Sequence, residues 1–185
     1  MSTATSNVVE KGLDQIVLAG GCFWCIEGAF SPLRGIKSAT SGYIGGKNAN
    51  PSYEQVCSGT TGHAEAVRVV FDPSIFPLQK VLKLFFAIHD PTTLNYQGND
   101  HGTQYRSAIF YYSPEQLEAV KKYIAEIAPQ HSNPIVTEIQ DGNKWVFYEA
   151  ESYHQNYYEK NPNQGYCRAV VRNKVIKAKQ LDEML

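Results

Sequence analysis

The chain has 185 residues, 43% of them hydrophobic and 19% charged, which is enough to bury a core without disulfide staples and too apolar for a disordered or collagen-like chain. Its 17 Lys and Arg against 18 Asp and Glu leave a net charge of -1, with no basic run to neutralise phosphates, so nucleic acid is not an expected partner. The longest apolar stretch, 81–88, is interrupted by Lys83 and falls far short of the ~20 residues of a membrane helix.

In chain order, residues 1–12 are polar, lack a secretory signal pattern and read as a flexible N-terminal tail ahead of a single domain over 13–185. Residues 15–19 read as a short buried strand leaving through Gly20-Gly21. Residues 22–30 follow as a helix with Phe23, Ile26 and Phe30 on one face, ended by Ser31-Pro32. Residues 36–44 have strand character, and 45–62 read as a loop long enough to be functional. Residues 64–71 alternate, with Glu65, Val67, Val69 and Phe71 on one face and Ala66, Arg68 and Val70 on the other, as a central strand does. Leu78, Val81, Leu82 and Phe85 mark one amphipathic helix. Leu117, Val120, Ile124 and Ile127 mark a second, opened by Ser113 as N-cap and Pro114 in its first turn. Strands are expected at 105–112, 135–140 and 144–148, the last two as a hairpin through Asp141-Gly142, followed by a short helix and a C-terminal segment. This order predicts an α+β fold, a mixed β-sheet with packed helices in a ferredoxin-like α/β sandwich. A doubly wound nucleotide fold lacks its glycine fingerprint and phosphate loop.

Four cysteines, Cys22, Cys25, Cys57 and Cys167, are too few for a secreted disulfide framework, which points to redox chemistry or a metal in a reducing compartment, the cytoplasm. Gly-Gly delivers Cys22 to the first turn of a helix, where free N–H groups and the helix dipole favour thiolate, making Cys22 the candidate nucleophile. Cys25 completes a Cys-x-x-Cys, suited to a reversible disulfide or half a zinc site, but the chain offers no second half, so no metal is assigned. Cys57 is given no role. Glu65 on an apolar strand face is the odd carboxylate: desolvation there would keep it protonated and able to donate a proton, against the alternative of a solvent-facing side chain. The polar segment 97–107, and 149–158 with Tyr153, His154, Tyr157 and Tyr158, offer loop-borne site residues.

Gly-Cys-Phe-Trp at 21–24 is followed in order by Tyr53-Glu54-Gln55-Val56-Cys57-Ser58-Gly59, Gly62-His63-Ala64-Glu65, Gly98-Asn99-Asp100, Gln104-Tyr105-Arg106-Ser107 and Tyr153-His154-Gln155. Over about residues 14–170 the sequence resembles the peptide-methionine (S)-S-oxide reductases, the A-type methionine sulfoxide reductases. The resemblance implies that 13–185 is a single catalytic domain reducing the S epimer of methionine sulfoxide, free and in oxidised proteins. Cys22 would attack the sulfoxide sulfur and become a sulfenic acid; Glu65 would protonate the oxygen, and Tyr53 and Tyr105 would hydrogen-bond it. Phe23 and Trp24 would form a slot for the methyl group, with Asp100 and His154 orienting the rest of the substrate. Cys167, where relatives carry a resolving cysteine on a glycine-rich tail, is favoured as the second thiol, with Cys25 close behind, although 168–172 here has strand or helix character. Thioredoxin would be the external reductant, with no bound cofactor and a monomeric enzyme. A thioredoxin-like thiol-disulfide oxidoreductase is the alternative, with a zinc-stabilised module and a cysteine hydrolase ranked behind it.

Overall fold

The computed structural model describes residues 2–185. Along it run β1 (Thr3–Ala4), β2 (Asp14–Ala19), α1 (Phe23–Phe30), β3 (Ile36–Ile44), α2 (Tyr53–Cys57), β4 (Ala64–Phe71) and α3 (Leu78–Ile88). Then come β5 (Tyr96–Gln97), β6 (Asp100–His101), β7 (Ala108–Tyr111), α4 (Pro114–Ile127), β8 (Glu138–Asp141), β9 (Tyr148–Glu149), α5 (Tyr157–Lys160) and α6 (Arg172–Met184). All but β5 and β6 join one sheet of order β1-β9-β3-β4-β2-β7-β8, with β5 and β6 pairing separately. At its centre, β2-α1-β3 and β4-α3-β7 interleave as β3-β4-β2-β7, antiparallel throughout, which is the expected ferredoxin-like sandwich. Only β7 and β8 run parallel in this sheet.

The period-2 alternation of β2 and β4 decides which side chains meet the helices. Ile16 pairs with Val69 and Leu18 with Val67, and these four join Phe71, Phe23, Ile26, Phe30 and Phe85 in the main core. The opposite parity, Val17, Ala19, Ala64, Ala66, Ala108 and Phe110, faces a smaller cluster closed by Phe147. Glu65 therefore lies on the helix side, on the same face as Val67. Helix α4 begins as its sequence implies, with Ser113 Oγ accepting the Gln116 N–H at 3.2 Å and Pro114 in the first turn. No helix among the described residues is long and apolar enough to cross a membrane.

Several expectations are corrected. The tail is tied down in part: Thr3 and Ala4 pair with Glu149 and Tyr148, and the Thr5 N–H reaches the Phe147 carbonyl at 3.1 Å. The loop 45–62 contains α2, nucleated by a reciprocal capping box between Ser52 and Gln55. Residues 138–141 and 148–149 form no hairpin; β8 sits at one sheet edge beside β7, and β9 lies across the sheet beside β3. Asp141-Gly142 instead opens a 3-10 turn, with Asp141 Oδ1 accepting the Asn143 N–H at 3.0 Å. The strand expected from 105 starts at Ala108, after a 3-10 turn over Thr103–Tyr105. At the C-terminus a π-helical turn, Cys167–Val171, runs straight into α6.

Gly42 of β3 marks where β9 and the crossing Phe147 approach closely: a Cβ there would lie 2.3 Å from the Phe147 ring and 2.5 Å from the Tyr148 carbonyl oxygen. Gly42→Ala should therefore destabilise the fold by about 1–3 kcal/mol through overpacking. Denaturant unfolding followed by circular dichroism checks this, and an unchanged midpoint contradicts the close approach.

Candidate active site

Strand β2 leaves the sheet through Gly21, whose φ of +88° lies in the left-handed region and whose N–H donates to the Tyr105 carbonyl at 3.1 Å. The next residue, Cys22, is the extended N-cap of α1, and it is buried, with 9% of its surface exposed. Glu65 of β4 lies beneath that helix start, 1% exposed. Its Oε1 accepts the Phe23 N–H at 3.2 Å and its Oε2 has no partner. Burial pushes the Glu65 carboxyl up to about 8, against a smaller lowering by the Phe23 N–H. At neutral pH the group is mostly a neutral acid with an unpartnered oxygen beside the thiol.

The expectation that the helix start lowers the Cys22 pKa is overturned. Burial pushes the thiol well above its ordinary value, the more so once Glu65 ionises, and the Trp24 N–H offsets this only in part. An eight-residue helix offers a weak field, whereas desolvation acts on the whole thiolate.

Phe23 and Trp24 diverge from the helix start. Phe23 is fully buried among Tyr43, Tyr53 and His154, with ring centroids 5.7, 6.5 and 5.0 Å away. Trp24 stacks on Tyr157 at 3.7 Å, meets the Tyr166 ring edge-on at 5.9 Å and donates its Nε1–H to His154 Nδ1 at 3.1 Å. Accepting that bond requires a neutral Nδ1, consistent with burial holding His154 below its ordinary pKa. Tyr53 and Tyr105 face Glu65, and burial raises both phenols, so they remain hydrogen-bond donors. Asp100 also faces Cys22 and Glu65 and accepts the Tyr166 O–H. The structure thus gathers Cys22, Glu65, Tyr53, Tyr105, Phe23, Trp24, Asp100 and His154 around one helix start.

The remaining thiols sit differently. Cys25 is 1% exposed and Cys167 is fully buried in the core between α1 and the C-terminal helix. Cys167 stands on no glycine-rich tail; its N–H is held by the Gln164 Oε1 at 2.9 Å. Cys57, half-buried at the end of α2, lies beside Tyr53. Among the described residues, no three His, Cys, Asp or Glu side chains gather to hold a metal.

Sequence reasoning missed three residues. Tyr43 is the cross-strand partner of Glu65, Tyr166 bridges Trp24 and Asp100, and Glu151 holds the pocket wall. Glu151 accepts the Tyr43 O–H at 2.8 Å and the Tyr53 N–H at 2.9 Å, which draws α2, β3 and the His154 turn together.

Residues 14–184 match the family model described as peptide methionine sulfoxide reductase. The chain belongs to that family. It is 50% identical over 177 residues, 93% of this chain and 92% of the relative, to the peptide methionine sulfoxide reductase MsrA of Polynucleobacter asymbioticus. Among solved structures, methionine sulfoxide reductase A of Corynebacterium diphtheriae superposes with a TM-score of 0.80 at 35% identity, covering 86% of this chain and 80% of that one. Mxr1 of Saccharomyces cerevisiae in complex with Trx2 superposes at 0.57 and 26% identity, covering 83% and 90%. The reductase family's fold thus underlies the helix start that carries Cys22.

If Glu151 is the clamp of this pocket wall, Glu151→Ala leaves two donors without their acceptor and should cost about 1–3 kcal/mol for each that stays buried. Glu151→Gln, which keeps one acceptor oxygen, should recover part of the loss in the same denaturant titration. Equal stability of all three proteins would contradict the clamp.

Proposed function

We propose that this chain is a peptide-methionine (S)-S-oxide reductase acting through Cys22 and Glu65. The observation that carries the reading is the buried Glu65 carboxyl, with one oxygen held by the Phe23 N–H and the other unpartnered, next to the Cys22 thiol. An acid kept neutral by burial is what a sulfoxide needs, because protonating its oxygen makes its sulfur electrophilic. Cys22 gives its thiol proton to Glu65 as Glu65 passes its own to the oxygen; the Cys22 sulfur attacks the sulfoxide sulfur, the hydroxyl passes to Cys22 as its bond to that sulfur breaks, and methionine leaves with Cys22 as a sulfenic acid and Glu65 again protonated. Tyr53 and Tyr105 donate to the same oxygen. Phe23 and Trp24 take the methyl group, and Asp100 and His154 orient the remainder of the substrate. Exchanging methyl and oxygen would put the oxygen against rings and away from its donors, which favours one epimer. Free and protein-bound sulfoxide present the same reacting group.

A second thiol then condenses with the sulfenic acid and releases water. Cys25, one helical turn on with its N–H on the Cys22 carbonyl at 3.1 Å, is the reading favoured here: (i, i+3) side chains lie about 5–6 Å apart at Cβ, and a disulfide spans about 3.5–4.5 Å there, so a small opening of the helix start closes the gap. Cys167, set in a continuous helix, is better suited to a later exchange with Cys25 than to direct attack. A thioredoxin-type dithiol closes the cycle, a reading supported by the solved complex of Mxr1 with Trx2. A general thiol-disulfide oxidoreductase would have no use for the Tyr53 and Tyr105 hydroxyls that face Glu65.

The test is Glu65→Gln, with Cys22→Ser as the inactive reference. Wild-type kcat/KM for S methionine sulfoxide should fall as pH rises through about 8, since Glu65 is the active acid only below its pKa. The Gln variant should lose that limb and run roughly 10²–10⁴-fold slower at neutral pH. Turnover of Glu65→Gln at the wild-type rate would overturn the assignment.

A further inference from the structure

We propose that Arg106 is a positioning residue of the acid site: its guanidinium ties the turn carrying Tyr105 to the start of the strand carrying Glu65, and so sets the spacing of two groups that act on the sulfoxide oxygen, an assignment that rests on the roles proposed for them. The Arg106 side chain is 11% exposed, and all of its nitrogens are engaged. Nη1 donates to the Thr103 carbonyl at 2.9 Å, Nη2 to the Gly62 carbonyl at 3.0 Å and Nε to Glu138 Oε2 at 3.4 Å.

The two ends that Arg106 joins differ in rigidity. Glu65 follows Gly62 closely, in a central strand paired with β2 on one side and β3 on the other, where Tyr43 lies opposite it. Tyr105 ends the short 3-10 turn Thr103–Tyr105, which packs against β4. That turn closes on little of its own, with the Tyr105 N–H on the Gly102 carbonyl at 3.0 Å and the Arg106 N–H on the Thr103 carbonyl at 3.2 Å. Its far end is held by the Gly21 N–H on the Tyr105 carbonyl. Arg106 holds its near end, at Thr103, to the strand that fixes Glu65.

A guanidinium suits this task because its donors form a planar fork, which fixes two carbonyls and a carboxylate in distance and angle at once; an ammonium on a flexible stem does not. The surroundings are shaped to it. Gly45, just past the end of β3, comes so near that a Cβ there would lie 2.9 Å from Arg106 Nη2. Glu138, the first residue of β8, anchors the fork from the sheet edge, and its own N–H donates to the Ser107 carbonyl at 3.0 Å. Turn, acid strand and sheet edge thus converge on one side chain.

Arg106→Lys keeps the charge and removes the fork; Arg106→Ala removes both. Single-turnover release of methionine by the full-length enzyme, followed at increasing S methionine sulfoxide, separates the rate of the reductase step from the half-saturating concentration. Both variants should slow the step roughly 10–10²-fold, the effect of a reacting group misplaced by about 1 Å, with half-saturation moved by less than about threefold. In a Tyr105→Phe background, where no hydroxyl is left to place, the same substitutions should slow it by less than about threefold. Should Arg106→Ala fail to fold, Arg106→Lys carries the same comparison. Wild-type speed in Arg106→Lys overturns the proposal, as does an equal loss in both backgrounds, which would mark Arg106 as a support of the fold at large. Wild-type speed in Tyr105→Phe overturns the underlying reading of Tyr105, and the positioning role with it; a slow Tyr105→Phe beside a normal Arg106→Lys overturns the positioning role alone.

Discussion

A carboxyl group buried on the helix side of a central strand is the constraint on which this site is built. Glu65 shares its face with Val67, Val69 and Phe71 and sees almost no solvent. Ionising it there costs about 5 kcal/mol more than in water, judged from a pKa raised from 4.5 to about 8. The group is tolerated because it stays neutral and accepts the one backbone N–H aimed at it. That same neutrality gives it a proton to donate.

The fold places a reactive sulfur beside this acid through topology. In the order β3-β4-β2-β7 the strand carrying Glu65 neighbours the strand whose exit turn carries Cys22, so the two residues meet at the same end of adjacent strands. Gly21 makes that turn in a left-handed conformation while donating to Tyr105. From the other side, β9 brings Glu151 against β3, where its carboxylate holds Tyr43 and the first residue of α2. Acid, thiol and aromatic walls are thus set by two strand pairings, β4 with β2 and β9 with β3, and by the hydrogen bond from Gly21 to Tyr105, so the pocket is organised before any ligand enters.

What the sequence reveals and what it hides divide along the same physical line. Glu65 is legible because alternation is local: four residues of one parity state its face. Cys22 at a helix start is legible for the same reason, as are Ser113 and Pro114 opening α4. Its acidity is not, since the local helix rule predicts a lowered pKa and tertiary burial raises it. Asp141-Gly142 misleads because its turn chemistry is real, but the chain then crosses the sheet instead of returning beside itself. Glu151 and Tyr166 carry no local mark at all; each becomes informative only once β9 lies beside β3, or once the C-terminal helix packs on α1. Cys167 shows the same limit, its neighbourhood decided by a continuous helix where a glycine-rich tail would have left it free.

The central claim is that Glu65 is a neutral acid in the resting enzyme at neutral pH, and its protonation can be read directly. Infrared difference spectra between wild type and Glu65→Gln across a pH series isolate the carboxylic C=O band of this one residue. The account predicts that the band is present at pH 6 and fades with a midpoint near 8. A carboxylate signature already complete at pH 6 would contradict it.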